Sequence, residues 1–397
     1  MLTLAGLVLV SCGGSGPTPL PSPRASASTS PTVAACSNQT MLAKWTVDQL
    51  AEQVVAVPVL ETDVGTVQAE VGQGVGGILL YGSDAPTDLG VQLKSLEASA
   101  PGGIVPLVMT DEEGGGVQRM ANLVGSLPWA REMGSTMSPA EIESLAESTG
   151  QAMLQQGVTM DLAPVLDVDG GVGPNAVDPD GSRSFSPDPT VASNDGVAFA
   201  EGLIGAGVIP VVKHFPGLGG ASANTDDGPA STLPYSTLQG AGLRPFEAAV
   251  NAGLPAVMVS DASIPGITTL PASLSSAAIE GLLEGQLHFH GLILTDSLSA
   301  GAITALGLGV AQATVESIAA GSDMVMFSSG DPAQVTAAID AAMVVAVTDG
   351  QVSTSRLVDA VSQVLAAKDV DLCSKAALAQ PRWSEAIERT RGIIPND

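Results

Sequence analysis

The stretch VIPVVKHFPG, Val208 to Gly217, decides the fold. Five apolar residues run without a polar break and then stop at Lys213 and His214. A strand with one wet face alternates apolar and polar residues. An unbroken apolar run is what a strand buried on both faces shows. Seven more runs of this kind occur: Gln53–Val59, Gly77–Tyr81, Ile104–Thr110, Thr159–Leu166, Ala256–Ser260, Leu292–Thr295 and Met324–Phe327. Longer helical patterns separate them. Eight doubly buried strands alternating with helices predict an α/β fold, a (β/α)8 TIM-type barrel in a single domain.

The helices between the runs have readable ends. Ser138-Pro139-Ala140-Glu141 is a capping box with proline at the first helical position. The helix it opens runs to Gln156, where Gly157 stops it. A second helical pattern, Ser353 to Lys368, closes the barrel. No second zone of composition appears, so the domain is read as 36–397, and the spacing is too irregular for a solenoid.

In such a barrel the chemistry gathers where strands end. The third run ends in Asp111-Glu112-Glu113, and the fourth leads into Asp167 and Asp169 with Arg183 on its long loop. The fifth ends in Lys213-His214, the sixth in Asp261, the seventh in Asp296 and the eighth in Ser328-Ser329. The opposite ends are mostly glycine and apolar. One face therefore carries a polar, carboxylate-rich cup.

Composition narrows what the cup holds. The formal net charge is −27, with only 14 Lys plus Arg and 3 His. Nucleic acids and anionic surfaces need basic patches, so neither is a partner here. Aromatics are 3% of the chain, so its core is expected to rest mainly on Val, Leu, Ile and Ala. A cup of carboxylates and a few cations suits a neutral polyhydroxylated ligand, because charged groups make strong directional hydrogen bonds to hydroxyls. Two carboxylates across a sugar are also the apparatus of glycoside hydrolysis. The chain is expected to act as a monomer.

Two motifs are set aside. Gly72-Gln73-Gly74-Val75-Gly76-Gly77 matches a dinucleotide loop but precedes a strand instead of following one, so it reads as a tight turn and no cofactor is expected. Asp167-Val168-Asp169-Gly170 begins like a calcium loop but lacks its later ligands. His288 and His290 precede the seventh run, at the wrong end of the barrel. No metal is expected.

The first residues lie outside the barrel. Leu2 to Val10 is an apolar run of signal-peptide length, too short to span a bilayer. It ends in Leu9-Val10-Ser11-Cys12, which resembles a lipobox. The expectation is a lipoprotein signal peptide over 1–12, lipidation at Cys12, and export to the outer face of the bacterial cell membrane. The basic flank usual for such a segment is missing, which points to a start codon upstream. Residues 13–35, rich in Ser, Pro and Gly, read as a disordered tether. In an exported protein the remaining pair, Cys36 and Cys373, is most simply a disulfide, with two separate buried thiols as the alternative.

Five motifs, in order, resemble glycoside hydrolase family 3, especially its single-domain β-N-acetylhexosaminidases. They are Thr110 to Arg119 (TDEEGGGVQR), Arg183-Ser184-Phe185 with Asp188-Pro189, Lys213 to Gly217 (KHFPG), Leu294 to Ser299 (LTDSLS) and Ala320 to Met324 (AGSDM). The resemblance spans nearly the whole folded chain. It implies that Asp296 is the nucleophile and that Asp111, Arg119, Arg183, Lys213 and His214 line the subsite for the terminal sugar. Arg119 has an alternative role as a structural partner of Glu113, and Lys213 and His214 as a buried network holding their loop. Asp323 precedes the eighth strand and reads as structural.

The departures are informative. The family's loop after K-H-F-P-G carries a histidine as general acid/base, held by an aspartate two positions earlier. Here the same offsets give Asp226 for that histidine, Asn224 for its partner and Leu218 for an earlier histidine. Asp261 stands where the family often has histidine, and Gly116 where it often has arginine. The proton shuttle expected here is Asp226, with Asp227 next, and a solvated turn at Asp226-Asp227-Gly228 is the competing reading. The resemblance implies a retaining exo-β-N-acetylglucosaminidase acting on wall-derived muropeptides or related glycans. The alternatives are a non-catalytic sugar-binding lipoprotein or a family member with another specificity, such as β-glucosidase.

Overall fold

The computed structural model describes residues 36–175 and 178–373. The expected signal peptide, the tether and Cys12 lie outside the described residues. Eight parallel strands close a barrel: β1 (Val55–Leu60), β2 (Gly77–Tyr81), β3 (Leu107–Thr110), β4 (Met160–Asp161), β5 (Ile209–Phe215), β6 (Ala256–Val259), β7 (Leu292–Ser297) and β8 (Met324–Met326). Each pairs with its neighbours in sequence, and β8 returns to β1 with Val55 opposite Val325. The eight strands fall on the eight apolar runs.

Most strands differ in length from their runs, and two of these differences bear on the site. The fourth run is cut to Met160–Asp161, with Val165 returning only as an isolated bridge to Lys213. Pro164 between them has no N–H to give to a ladder. The fifth is longer than its run and takes in His214 and Phe215. Lys213 and His214 thus stand on the strand itself, on rigid backbone.

The inside of the barrel is filled by side chains, as this fold requires. They include Leu79, Leu107, Leu162, Ile209, Val211 and Leu294, but also Met109, Met160, Met258, Met324 and Met326. Across the whole core Val, Leu, Ile and Ala predominate, as expected, with methionines added inside the barrel. With few aromatics to supply bulk, flexible methionines fill the taper. A larger layer, including Val57, Ile78, Leu80, Val108 and Phe199, packs the strands against the helices.

Helix ends follow their sequence signals. Pro139–Gln155 opens on the Ser138/Glu141 capping box, and Thr354–Ala367 opens on Ser353, whose hydroxyl accepts from Arg356 N. Gly74 caps helix Gln68–Gln73 in the left-handed region (φ 107°), which accounts for the glycine motif as a turn. Asp323 accepts from Arg356 Nη2 at 2.7 Å and from Ile293 N at 3.0 Å, a structural tie below β7 and β8. Cys36 and Cys373 are bonded to each other.

Candidate active site

A cavity of about 510 Å³ opens at the C-terminal ends of the strands. Asp111, Arg119, Arg183, Lys213, His214, Asp226 and Asp296 all line it. Asp227 and Asp261 are not among the lining residues. His290 lies instead on a separate, mostly apolar cavity lined also by Pro255, Leu292 and Gln363, below the strands.

One wall is a buried charge network. The chain after β3 folds back as a small antiparallel hairpin, Glu112–Gly114 against Val117–Gln118. Glu112 is fully buried and holds it by accepting from Arg119 N (2.8 Å), Met120 N (2.7 Å) and Gln118 Nε2 (2.8 Å). The hairpin fixes Asp111 and Glu113 opposite β5. Lys213 Nζ sits 2.6 Å from Asp111 Oδ1 and 2.6 Å from Glu113 Oε1. Arg183 donates to both oxygens of Glu113 at 2.8 Å, in the paired geometry a guanidinium suits. Burial alone would raise the Glu113 carboxyl, but Arg183 and Lys213 outweigh it and hold it well below the usual carboxylate range.

Arg119 does not take the alternative role of partner to Glu113, because Arg183 and Lys213 occupy that carboxylate. Arg119 Nη2 stands 3.7 Å from Asp111 Oδ2, and its guanidinium lies 5.8 Å from the centre of the Tyr81 ring. Its Nε is buried without an acceptor among the described residues. Arg119 is thus held loosely where it borders the cavity.

His214 has a defined proton arrangement. Arg183 Nη2 lies 3.2 Å from His214 Nε2, and arginine can only donate. Nε2 therefore accepts, and Nδ1 carries the proton it gives to Asp167 Oδ2 at 2.7 Å. Asp167 also accepts from Leu218 N (2.7 Å), and Asp169 from Gly220 N (2.9 Å). The supposed start of a calcium loop is thus a tether between the loops after β4 and β5. Asp167, Asp180 and His214 offer ligand atoms within 4.8 Å of one another, a spacing a cation fits. The tautomer imposed by Arg183 leaves Nδ1 without a lone pair for it. Asp180 is buried beside Asp167, and burial, reinforced by the charge of Asp167, raises its carboxyl well above the usual range.

The opposite wall carries the two remaining carboxyl groups. Asp296 ends β7, is partly exposed, and accepts from Ser297 N at 2.8 Å. Asp226 comes from the long loop after β5. Its turn is tied by Asn224, whose Oδ1 accepts from Asp226 N at 3.0 Å. Asp226 keeps exposed surface, yet its carboxyl is pushed up, first by local burial and then by the charge of Asp296, with the charge of Arg183 pulling the other way. Asp261 is fully buried behind this wall, with Ser273 donating to its Oδ1 and no partner for Oδ2 among the described residues. Burial and the charge of Asp296 raise it well above the usual range. It is a neutral acid there.

A parallel (β/α)8 barrel with carboxylates on facing sides of a strand-end cup defines the class of the carbohydrate-cleaving barrels. Residues 46–367 match the family model described as the glycosyl hydrolase family 3 N terminal domain. The chain belongs to that family. It is 39% identical over 261 residues to the β-hexosaminidase LpqI of Mycobacterium tuberculosis, covering 64% of this chain and 66% of that relative, just under two thirds of its length. Among solved structures it is similar to M. tuberculosis LpqI, with a TM-score of 0.76 and 32% identity over 84% of this chain and 96% of the other. It is also similar to a family 3 β-N-acetylglucosaminidase from Paenibacillus, with a TM-score of 0.75 and 27% identity over 87% of this chain and 68% of that one.

Three residues have a larger part in the site than the sequence assigned to them. Asp167 was dismissed with the calcium-like motif, although an aspartate at a strand end next to a histidine-bearing strand is a ready partner for it. Glu113 entered only as an alternative partner for Arg119 and is the hub for Arg183 and Lys213. Tyr81 ends β2 on the cavity, and only its place as the last residue of an apolar run marks it.

Proposed function

We propose that this protein is a retaining exo-β-N-acetylglucosaminidase, with Asp296 as nucleophile and Asp226 as general acid/base. The observation that carries this is the placement of Asp226 and Asp296 on one cavity, facing the network of Asp111, Lys213, Glu113 and Arg183. The network supplies fixed acceptors and donors for the hydroxyls of one terminal sugar. Asp111 accepts, while Lys213, Arg183 and the loosely held Arg119 donate. His214 is bonded at both nitrogens, to Arg183 and to Asp167, so it shapes the subsite and moves no proton.

Asp296 attacks the anomeric carbon as the glycosidic oxygen leaves. The leaving oxygen takes a proton from Asp226, whose raised pKa keeps it protonated beyond the usual carboxylate range. Asp226, now ionised, then takes a proton from water as it releases the sugar from Asp296. The relatives named above as β-hexosaminidase and β-N-acetylglucosaminidase favour N-acetylglucosamine over glucose. The lipobox-like Leu9-Val10-Ser11-Cys12 supports export and anchoring at the outer face of the membrane, where wall-derived muropeptides or related glycans are the substrates within reach.

The test is turnover of aryl β-N-acetylglucosaminide beside aryl β-glucoside. Preference for the first supports the reading, and preference for the second makes the protein a β-glucosidase. Binding of N-acetylglucosamine with no turnover of either makes it a sugar-binding lipoprotein.

A further inference from the structure

We propose that Gly301 is a positioning residue that clamps the acid/base loop to the nucleophile loop. The inference rests on the assignment of Asp226 above and concerns how that residue is kept in place. Residues 224–228 form a tight turn in which Asp227 N and Gly228 N donate to Asn224 O at 3.2 and 3.3 Å. The turn belongs to the loop after β5 but docks on the loop after β7. Gly301 N donates to Asp226 O at 3.0 Å, and Ala302 N donates to Thr225 O at 2.9 Å. Those two donors open the short helix Gly301–Thr304, which follows Asp296 along the same loop. Thr225 is buried in the contact. The backbone of the acid/base therefore hangs on the segment that continues from the nucleophile.

Only glycine permits this approach. A β-carbon at 301 would lie 2.6 Å from Asp226 O, 2.6 Å from Asp227 C and 2.6 Å from Gly228 N. All three are backbone atoms and have no rotamer by which to move aside. The conformation of Gly301 itself asks for nothing special, since it is not in the left-handed region. At the first position of a helix, alanine would ordinarily be preferred to glycine. The requirement comes from the turn pressed against it, and an added methyl pushes that turn off its two donors while β7 keeps Asp296 in place.

The experiment compares Gly301→Ala, Asp226→Ala and the double variant on two substrates. One is a disaccharide, which needs its leaving group protonated, and the other is an aryl glycoside with a good leaving group. For Gly301→Ala, kcat/KM on the disaccharide should fall on the order of 10²-fold, the usual loss when a catalytic group is misplaced by an ångström. On the aryl glycoside kcat/KM should stay within a few-fold of wild type, with azide speeding turnover. The double variant should be no worse than Asp226→Ala, because a residue acting only through Asp226 has nothing left to position. Ala302→Pro removes the second donor in a first turn that tolerates proline, and should show the same selective loss. Wild-type disaccharide cleavage by Gly301→Ala and Ala302→Pro, or losses that multiply in the double variant, would overturn the clamp while leaving Asp226 as acid/base. Wild-type cleavage by Asp226→Ala would overturn the acid/base assignment itself.

Discussion

At the scale of single residues, the two carboxyl groups differ in what their removal should do. Asp296 is partly exposed and accepts only from the adjacent Ser297 N among its described hydrogen bonds. Asp296→Ala should abolish hydrolysis and change stability by less than about 1 kcal/mol, as a substitution at a solvated strand end does. Thermal unfolding beside activity checks both halves, and a mechanism-based fluoroglycoside should label the peptide containing Asp296. Asp226 is tested better by pH. A general acid works only while protonated, so the rate falls as pH rises through its pKa. Burial and Asp296 raise that pKa, so the falling limb should lie above the range of an ordinary aspartic acid. Asp226→His installs an imidazole of ordinary pKa about 6.5 and should move the falling limb upward. A limb that stays fixed in a still active Asp226→His enzyme would assign the acid to another group. The positions of Asp296 at a strand end and of Asp226 on the loop after the fifth run were legible in the sequence. The proton arrangement of His214 was not, because it depends on Arg183 and Asp167, which only the closed barrel brings to it.

At the scale of elements, unbroken apolar runs located all eight strands, and capping residues located the ends of the long helices. Strand length was less legible, since the bend at Pro164 and the extension of β5 through Phe215 depend on pairing with neighbours. The small hairpins after β3 and β6 left no apolar pattern to find. Nor did the sequence show that the last helix ends in a buried cation. Lys368 follows Thr354–Ala367, is 2% exposed, and has Gln53 Oε1 at 2.9 Å as its described partner. Burial pushes its pKa down from 10.5 to about 7. The unfolded chain holds this proton up to about pH 10, and the folded one loses it above about pH 7. Stability from this group is therefore lowest below pH 7 and rises with pH between those values. A depression of this size corresponds to roughly 4–5 kcal/mol, and Lys368→Met also strands Gln53 Oε1 at a cost of about 1–3 kcal/mol. Lys368→Met should stabilise the protein by about 2 kcal/mol at pH 7 and flatten the rise toward pH 10. Urea unfolding at pH 6, 8 and 10 measures both.

At the scale of the whole molecule, a chain of net charge −27 folds around a site where Lys213, Arg183 and Arg119 are gathered against the two carboxylates of Asp111 and Glu113. The scarce cations are concentrated where a polyhydroxylated ligand needs donors. The same chain is closed at its ends. Asn38 donates to Val370 O at 2.7 Å and accepts from Leu372 N at 2.8 Å, and Cys36 bonds to Cys373 across 337 positions. This link ties the first short helix, Asn38–Leu42, to the segment after the last one, and with it the start of the barrel to its close. By the chain-entropy account a loop of this length restricts the unfolded chain enough to stabilise the folded one by about 5 kcal/mol. The active-site network contains neither cysteine. Cys36→Ser with Cys373→Ser should therefore lower the unfolding free energy from denaturant titration by an amount of that order while kcat/KM on an aryl glycoside stays at the wild-type value. Non-reducing peptide mapping should recover the two cysteines in one linked peptide. Recovery of two free thiols, or a double variant as stable as wild type, would mean that the hydrogen bonds of Asn38 close the barrel without the covalent bond.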